Sequence, residues 1–204
     1  MLGLMALAAC NGVRGDIDGQ SVPSMPTAFF VESDDYYGND GAIQIFLSSV
    51  DLGCDGYEDM NEDLEDDANS VDIEGYVDTW TDNLPEDFWQ VQISLRVDDV
   101  DDPQGSIDFD AQDWDDGLAD DDEGKLWVTH YTDYPEASWP DIFDDISDIY
   151  VGDRGELAIR RHSPGERISG YFDAPMVDLD GDDEGEARVN FSASYCRGME
   201  DFLL

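Results

Sequence analysis

Apolar and polar residues alternate along this chain in short runs, and most of those runs predict strands. Residues 90–97, Gln-Val-Gln-Ile-Ser-Leu-Arg-Val, keep a strict period of two and set Val91, Ile93, Leu95 and Val97 on one core-facing side. Runs 27–32 and 42–50 are apolar and β-rich, and the Gly- and Asn-containing stretch 34–41 between them suits a turn, which predicts a hairpin. Further strands are predicted over 71–81, 88–97, 106–109, 125–131, 156–162, 167–174 and 187–196.

Two segments carry helical spacing instead. Asp55 and Glu58 have the spacing of a capping box, and Tyr57, Met60 and Leu64 recur on one face through Ala68. That helix sets Asp59 against Asp63 and Glu62 against Asp66, like-charge pairs that repel unless salt screens them. A second helix is expected over 138–150, with Ser138 as cap, Pro140 in its first turn, and Trp139, Ile142, Phe143 and Ile146 on one face. Many short strands and few helices predict a mainly β fold, an antiparallel sandwich or barrel with one or two short helices. No linker or repeat divides residues 27–204, which are read as one domain.

Composition changes that picture in one respect. The 204 residues hold 52 acidic and 9 basic side chains, a formal net charge of −43, with Lys125 as the single lysine. At 41% hydrophobic and 11% aromatic the chain has material for a core, so it is not a disordered acidic tail. Such self-repulsion destabilises a compact state unless it is screened, and the Debye length falls from about 10 Å at 0.1 M salt to about 3 Å at 1 M. The acidity therefore reads first as adaptation to a salt-rich setting and second as calcium binding, and it argues against a nucleic-acid partner.

Candidate chemistry is sparse. His130 and His162 lie near the ends of predicted strands, outside any metal or catalytic motif, and read as surface or capping residues. Asp178, Asp180 and Asp182 stand at alternate positions, as hard oxygen ligands around Ca²⁺ can, but Asp183 and Val189 stand where an EF-hand loop needs Gly and Glu. The acidic loop 113–123 is a weaker candidate of the same kind. Among five tryptophans, Trp89, Trp127 and Trp139 are expected in the core. Trp80 and Trp114, flanked by Thr and Asp, are expected to be exposed and available to stack on a ligand such as a sugar. No catalytic residue is assigned, and an envelope hydrolase stands as the weakest alternative.

The N-terminus is more specific. Residues 1–10, Met-Leu-Gly-Leu-Met-Ala-Leu-Ala-Ala-Cys, form an apolar run too short to span a bilayer but suited to the apolar part of a signal peptide. Leu7-Ala8-Ala9-Cys10 resembles the lipobox of bacterial lipoproteins. The resemblance implies removal of residues 1–9, acylation of Cys10, and a membrane as the partner of the lipidated terminus. A charged leader start is then expected upstream of Met1. The protein or glycan partner at the bacterial cell envelope is left open. Residues 10–26, rich in Gly, Pro, Ser and Asp, read as a flexible tether.

With Cys10 acylated, Cys54 and Cys196 remain as an even pair, expected to be joined in an oxidising compartment. The stretches 155–161, 167–174 and 189–196 resemble a three-strand ending of uncharacterised bacterial lipoproteins, in which an Ile-Ser-Gly strand, here Ile168-Ser169-Gly170, precedes a last strand ending in cysteine. This resemblance implies a β-rich exported domain with Cys196 bonded to an earlier cysteine, and no activity.

Overall fold

Period-two alternation becomes burial in the structure, a computed structural model that describes residues 12–33, 41–70, 72–97, 100, 103, 105–108, 124–133, 147–153, 155–179 and 181–200. Among the described residues there are eleven strands: β1 (Gly12–Ile17), β2 (Gln20–Ser21), β3 (Thr27–Ser33), β4 (Gly41–Ser48), β5 (Phe88–Val97), β6 (Gly105–Asp108), β7 (Gly124–Tyr131), β8 (Ser147–Gly152), β9 (Glu156–Ser163), β10 (Arg167–Asp178) and β11 (Asp183–Tyr195). Helices α1 (Gly53–Ser70) and α2 (Ile73–Asn83) follow β4, and a short 3-10 turn, Arg197–Met199, follows β11.

The strands form one mixed sheet that bends back on itself. Five of them, β3-β4-β5-β7-β8, run side by side, and six more run in the order β2-β1-β11-β10-β9-β6. The two runs meet twice, where Ser194 and Tyr195 of β11 pair in parallel with Phe29 and Phe30 of β3, and where 176–178 of β10 pair with 150–152 of β8. All other ladders are antiparallel. Val91, Ile93, Leu95 and Val97 of β5 meet Phe172, Ala174, Met176, Val189 and Phe191 from the other run in one buried cluster. The expected mainly β architecture is what forms, as a sandwich whose corners are joined.

A second core lies on the outer side of β3, β4 and β5. Phe29, Val31, Phe46 and Phe88 are covered there by Tyr57, Met60 and Leu64 of α1 and by Trp80 of α2. Strand β4 is consequently buried along its whole length, which accounts for its nearly unbroken apolar sequence. The Tyr57 hydroxyl lies 2.6 Å from Ser48 Oγ, so the one polar atom of that side chain is satisfied inside the layer.

Four expectations change. Helix α1 begins at Gly53, so Asp55 stands in its first turn rather than at its cap. A strand was expected over 71–81, but residues 73–83 form α2: Asp72 accepts a hydrogen bond from the Gly75 amide at 3.0 Å, and Tyr76, Trp80 and Leu84 recur every fourth residue toward the second core. The β-branched and aromatic content suggested a strand, but a cap and a helical period outweigh it. Residues 147–150, expected as the end of a helix, open β8 and pair with β7, while 138–146 lie outside the described residues.

The segment 10–26, read as a tether, is built into the sheet over its described part. β1 pairs with β11 from Gly12↔Asn190 to Ile17↔Gly185, and Ile17, Val22 and Met25 are buried in the main core. Asp18 and Gly19 both take positive φ, 50° and 69°, the two-residue turn that Asp-Gly favours between paired strands. Gly185 at φ 125° completes this contact, since a Cβ there would lie 2.1 Å from the Asp16 carbonyl oxygen.

Cys54 and Cys196 are joined, with Cα atoms 5.7 Å apart and a separation of 142 positions in sequence. The bond ties α1 to the end of β11. Replacing both cysteines by alanine should lower unfolding free energy by about 2–5 kcal/mol, since closing so long a loop restricts the unfolded chain. Denaturant unfolding at high salt checks this, and hydrogen exchange should show α1 opening before the β10–β11 ladder. Unchanged stability would contradict it.

Candidate functional site

A cluster of carboxylates lies where the β1–β2 turn meets the β10–β11 hairpin. Asp178 Oδ1 accepts from the Asp182 amide at 2.9 Å, the Gly181 amide donates to the Asp178 carbonyl at 3.1 Å, and the Asp18 amide donates to the Glu184 carbonyl at 2.8 Å. These contacts draw Asp18, Asp178, Asp182, Asp183 and Glu184 together. The Glu184 carboxyl is pushed above its ordinary range by desolvation first and then by the negative charge of Asp18, Asp178, Asp182 and Asp183.

Of the three expected calcium ligands, the structure places Asp178 and Asp182 at this hairpin, and Asp180 lies outside the described residues. Asp178 is already engaged in shaping the turn. Among the described residues, the one set of three metal-ligating groups within 4.8 Å is Cys54, Asp55 and Glu58. Cys54 offers no thiolate, because its sulfur is bonded to Cys196, so two carboxylates remain. The loop 113–123 falls outside the described residues, as do Trp114, Trp139 and Cys10.

Trp80 was expected to be exposed and is buried at 8% exposure. Its ring packs against Phe88 at 6.2 Å and Tyr131 at 5.5 Å, in the layer between α2 and the sheet. The reason is the helix: the fourfold spacing turns Trp80 inward, where a strand would have left it beside Thr and Asp in solvent. Trp89 is in the core as expected. Trp127 is half-buried on the side of β7 opposite Leu126 and Val128, so it does not fill the main core.

Both histidines are interior residues, not the surface or capping residues expected. His130 is 2% exposed, stacks on Trp89 at 4.1 Å, and holds Asp87 Oδ1 3.0 Å from its Nε2. His162 Nε2 lies 2.8 Å from Glu32 Oε2, and Glu32 Oε1 accepts from the Gly165 amide at 2.7 Å. Glu32 thereby ties the β9–β10 turn to β3, across the two halves of the sandwich. Neither Nδ1 has a hydrogen-bond partner among the described residues, so each ring is held through Nε2 alone, by Asp87 or Glu32. No sequence signal marks these pairs, because Glu32 and His162 are 130 residues apart and Asp87 and His130 are 43 apart.

Comparison with known proteins adds no relative: no family model, curated protein or solved structure matches the chain.

Two tests follow from this electrostatic landscape. If the acidity is a solvated surface, the melting temperature should climb steadily with NaCl up to about 1 M, where the Debye length is near 3 Å. Calcium at fixed high salt should then add little, and Asp178→Asn should not change that increment. A melting temperature indifferent to NaCl, raised by Ca²⁺ and lost in Asp178→Asn would make the hairpin a metal site.

The tyrosines supply the second. Burial, with nearby Tyr57 and Tyr76, pushes the Tyr131 phenol up to about 12. Burial does the same for Tyr150, helped by Asp148, Asp18, Glu184 and Asp178. The unfolded chain releases these protons near pH 10, whereas the fold keeps them to about 12. The folded state thus binds more protons in that interval, and stability should fall as pH rises from 10 toward 12. Denaturant midpoints across that range, with phenolate absorbance as a second readout, check it. Tyr131→Phe should flatten the slope, and an unchanged slope in Tyr131→Phe and Tyr150→Phe would contradict the assignment.

Proposed function

We propose that the protein is a lipid-anchored component of the bacterial envelope, structural or ligand-binding in character, with a surface adapted to high salt. One observation carries this reading. The fold engages two of the three cysteines in a disulfide, and the remaining one is Cys10, the residue at which the lipobox-like Leu7-Ala8-Ala9-Cys10 ends. A long-range disulfide accords with an oxidising compartment. Among the described residues no helix is long and apolar enough to cross a membrane, so attachment in this reading falls to acyl chains at Cys10.

The surface supports the salt-adapted part. On α1, Asp59, Glu62, Asp63, Glu65 and Asp66 are exposed, with no basic residue in the last turn to offset them. Two interior imidazoles held by carboxylates act as cross-links between strands, which fits a binding or structural protein better than a hydrolase.

The anchor is tested by expressing the full chain in a bacterium and partitioning it in detergent. The parent protein should enter the detergent phase and carry acyl mass on its N-terminal peptide. Cys10→Ser should remain in the aqueous phase, because one or more acyl chains supply the membrane affinity. Recovery of Cys10→Ser in the membrane fraction would overturn the reading.

A further inference from the structure

Both oxygens of the Glu32 carboxylate are engaged from across the sandwich, and by donors. Oε2 lies 2.8 Å from His162 Nε2 on β9, and Oε1 accepts from the Gly165 amide at 2.7 Å. The His162 side chain is 3% exposed and that of Glu32 12%, so the pair is largely withdrawn from water. A bare Nε2 would set its lone pair against the carboxylate, so the ring is assigned a proton at Nε2 and donates there. His162 Nδ1 is buried and has no partner among the described residues.

The sequence supplies the second donor. In the turn Ser163-Pro164-Gly165-Glu166 the Glu166 amide donates to the Ser163 carbonyl at 3.0 Å, and Gly165 takes φ 65°, as Pro followed by Gly favours. The Gly165 amide is left outside the β9–β10 ladder and meets Glu32 instead. This contact stands at a thin join between the two runs of strands. β3 and β11 pair at two positions only, Phe29↔Ser194 and Phe30↔Tyr195, and the Cys196 amide adds one bond to the Phe30 carbonyl at 2.9 Å. The His162 ring meets the edge of Phe30, with centroids 5.9 Å apart. Two residues further along β3, Glu32 continues the join by side chain where the backbone ladder stops.

The charged groups around the pair come from several elements. β11 brings Tyr195, whose hydroxyl is bonded to Glu200 and whose phenol feels the charges of Glu200, Glu32 and Arg197. The β9–β10 turn brings Glu166 and Arg167, both exposed, and Arg161 precedes His162 on β9. The start of α1 brings Asp55 and Glu58, the latter packed on Gly198 beyond β11. β4 brings no charge opposite Glu32, which pairs there with Ile43.

We propose that Glu32 is an acid-sensitive latch: protonation of its carboxyl releases the β9–β10 turn from β3 and opens the join beside Phe30. A proton on either oxygen turns an acceptor into a donor that faces an N–H, so one of the two bonds is lost. Acid that protonates a carboxylate ordinarily protonates an imidazole as well. The interior would then hold a cationic ring beside a neutral carboxyl, with an Nδ1–H that meets no acceptor among the described residues. The Cys54–Cys196 bond keeps the end of β11 with α1, so the opening is local and the two runs stay joined. The rest of the molecule responds in the opposite sense, because acid removes negative charge from a chain of net charge −43 and relieves its self-repulsion. The Asp87–His130 pair is no such latch: the Asp87 side chain is 77% exposed, and the pair lies within the five-strand run.

The test is amide hydrogen exchange by NMR on the full chain with Cys10→Ser, which stays in solution whether or not the anchored reading holds. Samples at about 1 M NaCl run from about pH 7 to about pH 4, with rates corrected for the intrinsic pH dependence of exchange. Gly165 is exposed, so its amide is protected by Glu32 alone, and the Cys196 amide reports the join to Phe30. Protection at both should fall at least about tenfold toward low pH while the β4–β5 ladder keeps its own. Glu32→Gln puts an NH2 where an acceptor stood and does not titrate, so both amides should exchange at the low-pH value throughout. Asp87→Asn should leave the profile of the parent unchanged. Protection at Gly165 and Cys196 that follows the β4–β5 ladder across the range would overturn the latch, as would a pH step that survives in Glu32→Gln. Where Glu32→Gln does not fold, the profile of the parent decides alone.

Discussion

Strands β10 and β11 are long enough to belong to two neighbourhoods at once, and the rest of the fold is arranged around that fact. Twelve and thirteen residues long, they pair with each other over most of their length and with different partners at their two ends. β10 leaves β9 after Asp173 and reaches β8 at Met176, while β11 pairs with β1 over 185–190 and touches β3 only at Ser194 and Tyr195. The ladder shifts register between Met176 and Val177, which gives the bend a place to occur. Because this hairpin joins both runs of strands, the apolar residues of each find cover without a separate closing element. The disulfide at Cys196 then fastens the end of β11 to the helical layer.

That layer answers a different need. Outward-facing Phe29, Phe46 and Phe88 would leave an apolar surface on the five-strand run, and α1 and α2 cover it. The covering face of α1 is narrow, Tyr57, Met60 and Leu64, and almost everything else on that helix is acidic or polar. Its carboxylates at i,i+4 oppose the helix, so its stability derives from tertiary packing rather than intrinsic propensity. Tyr57 supplies part of that packing, with its ring 4.9 Å from Phe46 and 5.8 Å from Phe29.

What could be read from the sequence follows this division between local and distant interactions. Strand β5 was legible residue by residue, because one face meets the core and the period of two survives. The face of α1 was legible for the same reason at a period near four. Helix α2 was obscured, since Val77, Thr79 and Thr81 carry strand propensity and the Asp72 cap is a single residue. In β1 the Asp18-Gly19 turn signal was present, but glycines and aspartates around it resemble linker composition. At the candidate sites, the disulfide pair was accessible by counting cysteines. The Glu32–His162 and Asp87–His130 pairs were not, because they form only when distant strands come together. Trp80 was misplaced along with the element that carries it.

The same separation of scales bears on how a chain of net charge −43 folds at all. Among the described residues its cores take almost no charge: the main cluster and the helical layer are built from aliphatic and aromatic residues, with Lys125, His130 and His162 as the buried basic side chains. The carboxylates are left on loops, helix surfaces and the outer sheet face, where neighbouring repulsion is weakened by solvent and reduced further by salt. Repulsion of this kind selects for spreading the acids apart, yet Asp18, Asp178, Asp182, Asp183 and Glu184 gather where the β1–β2 turn meets the β10–β11 hairpin. An even spread would cost less at any salt concentration.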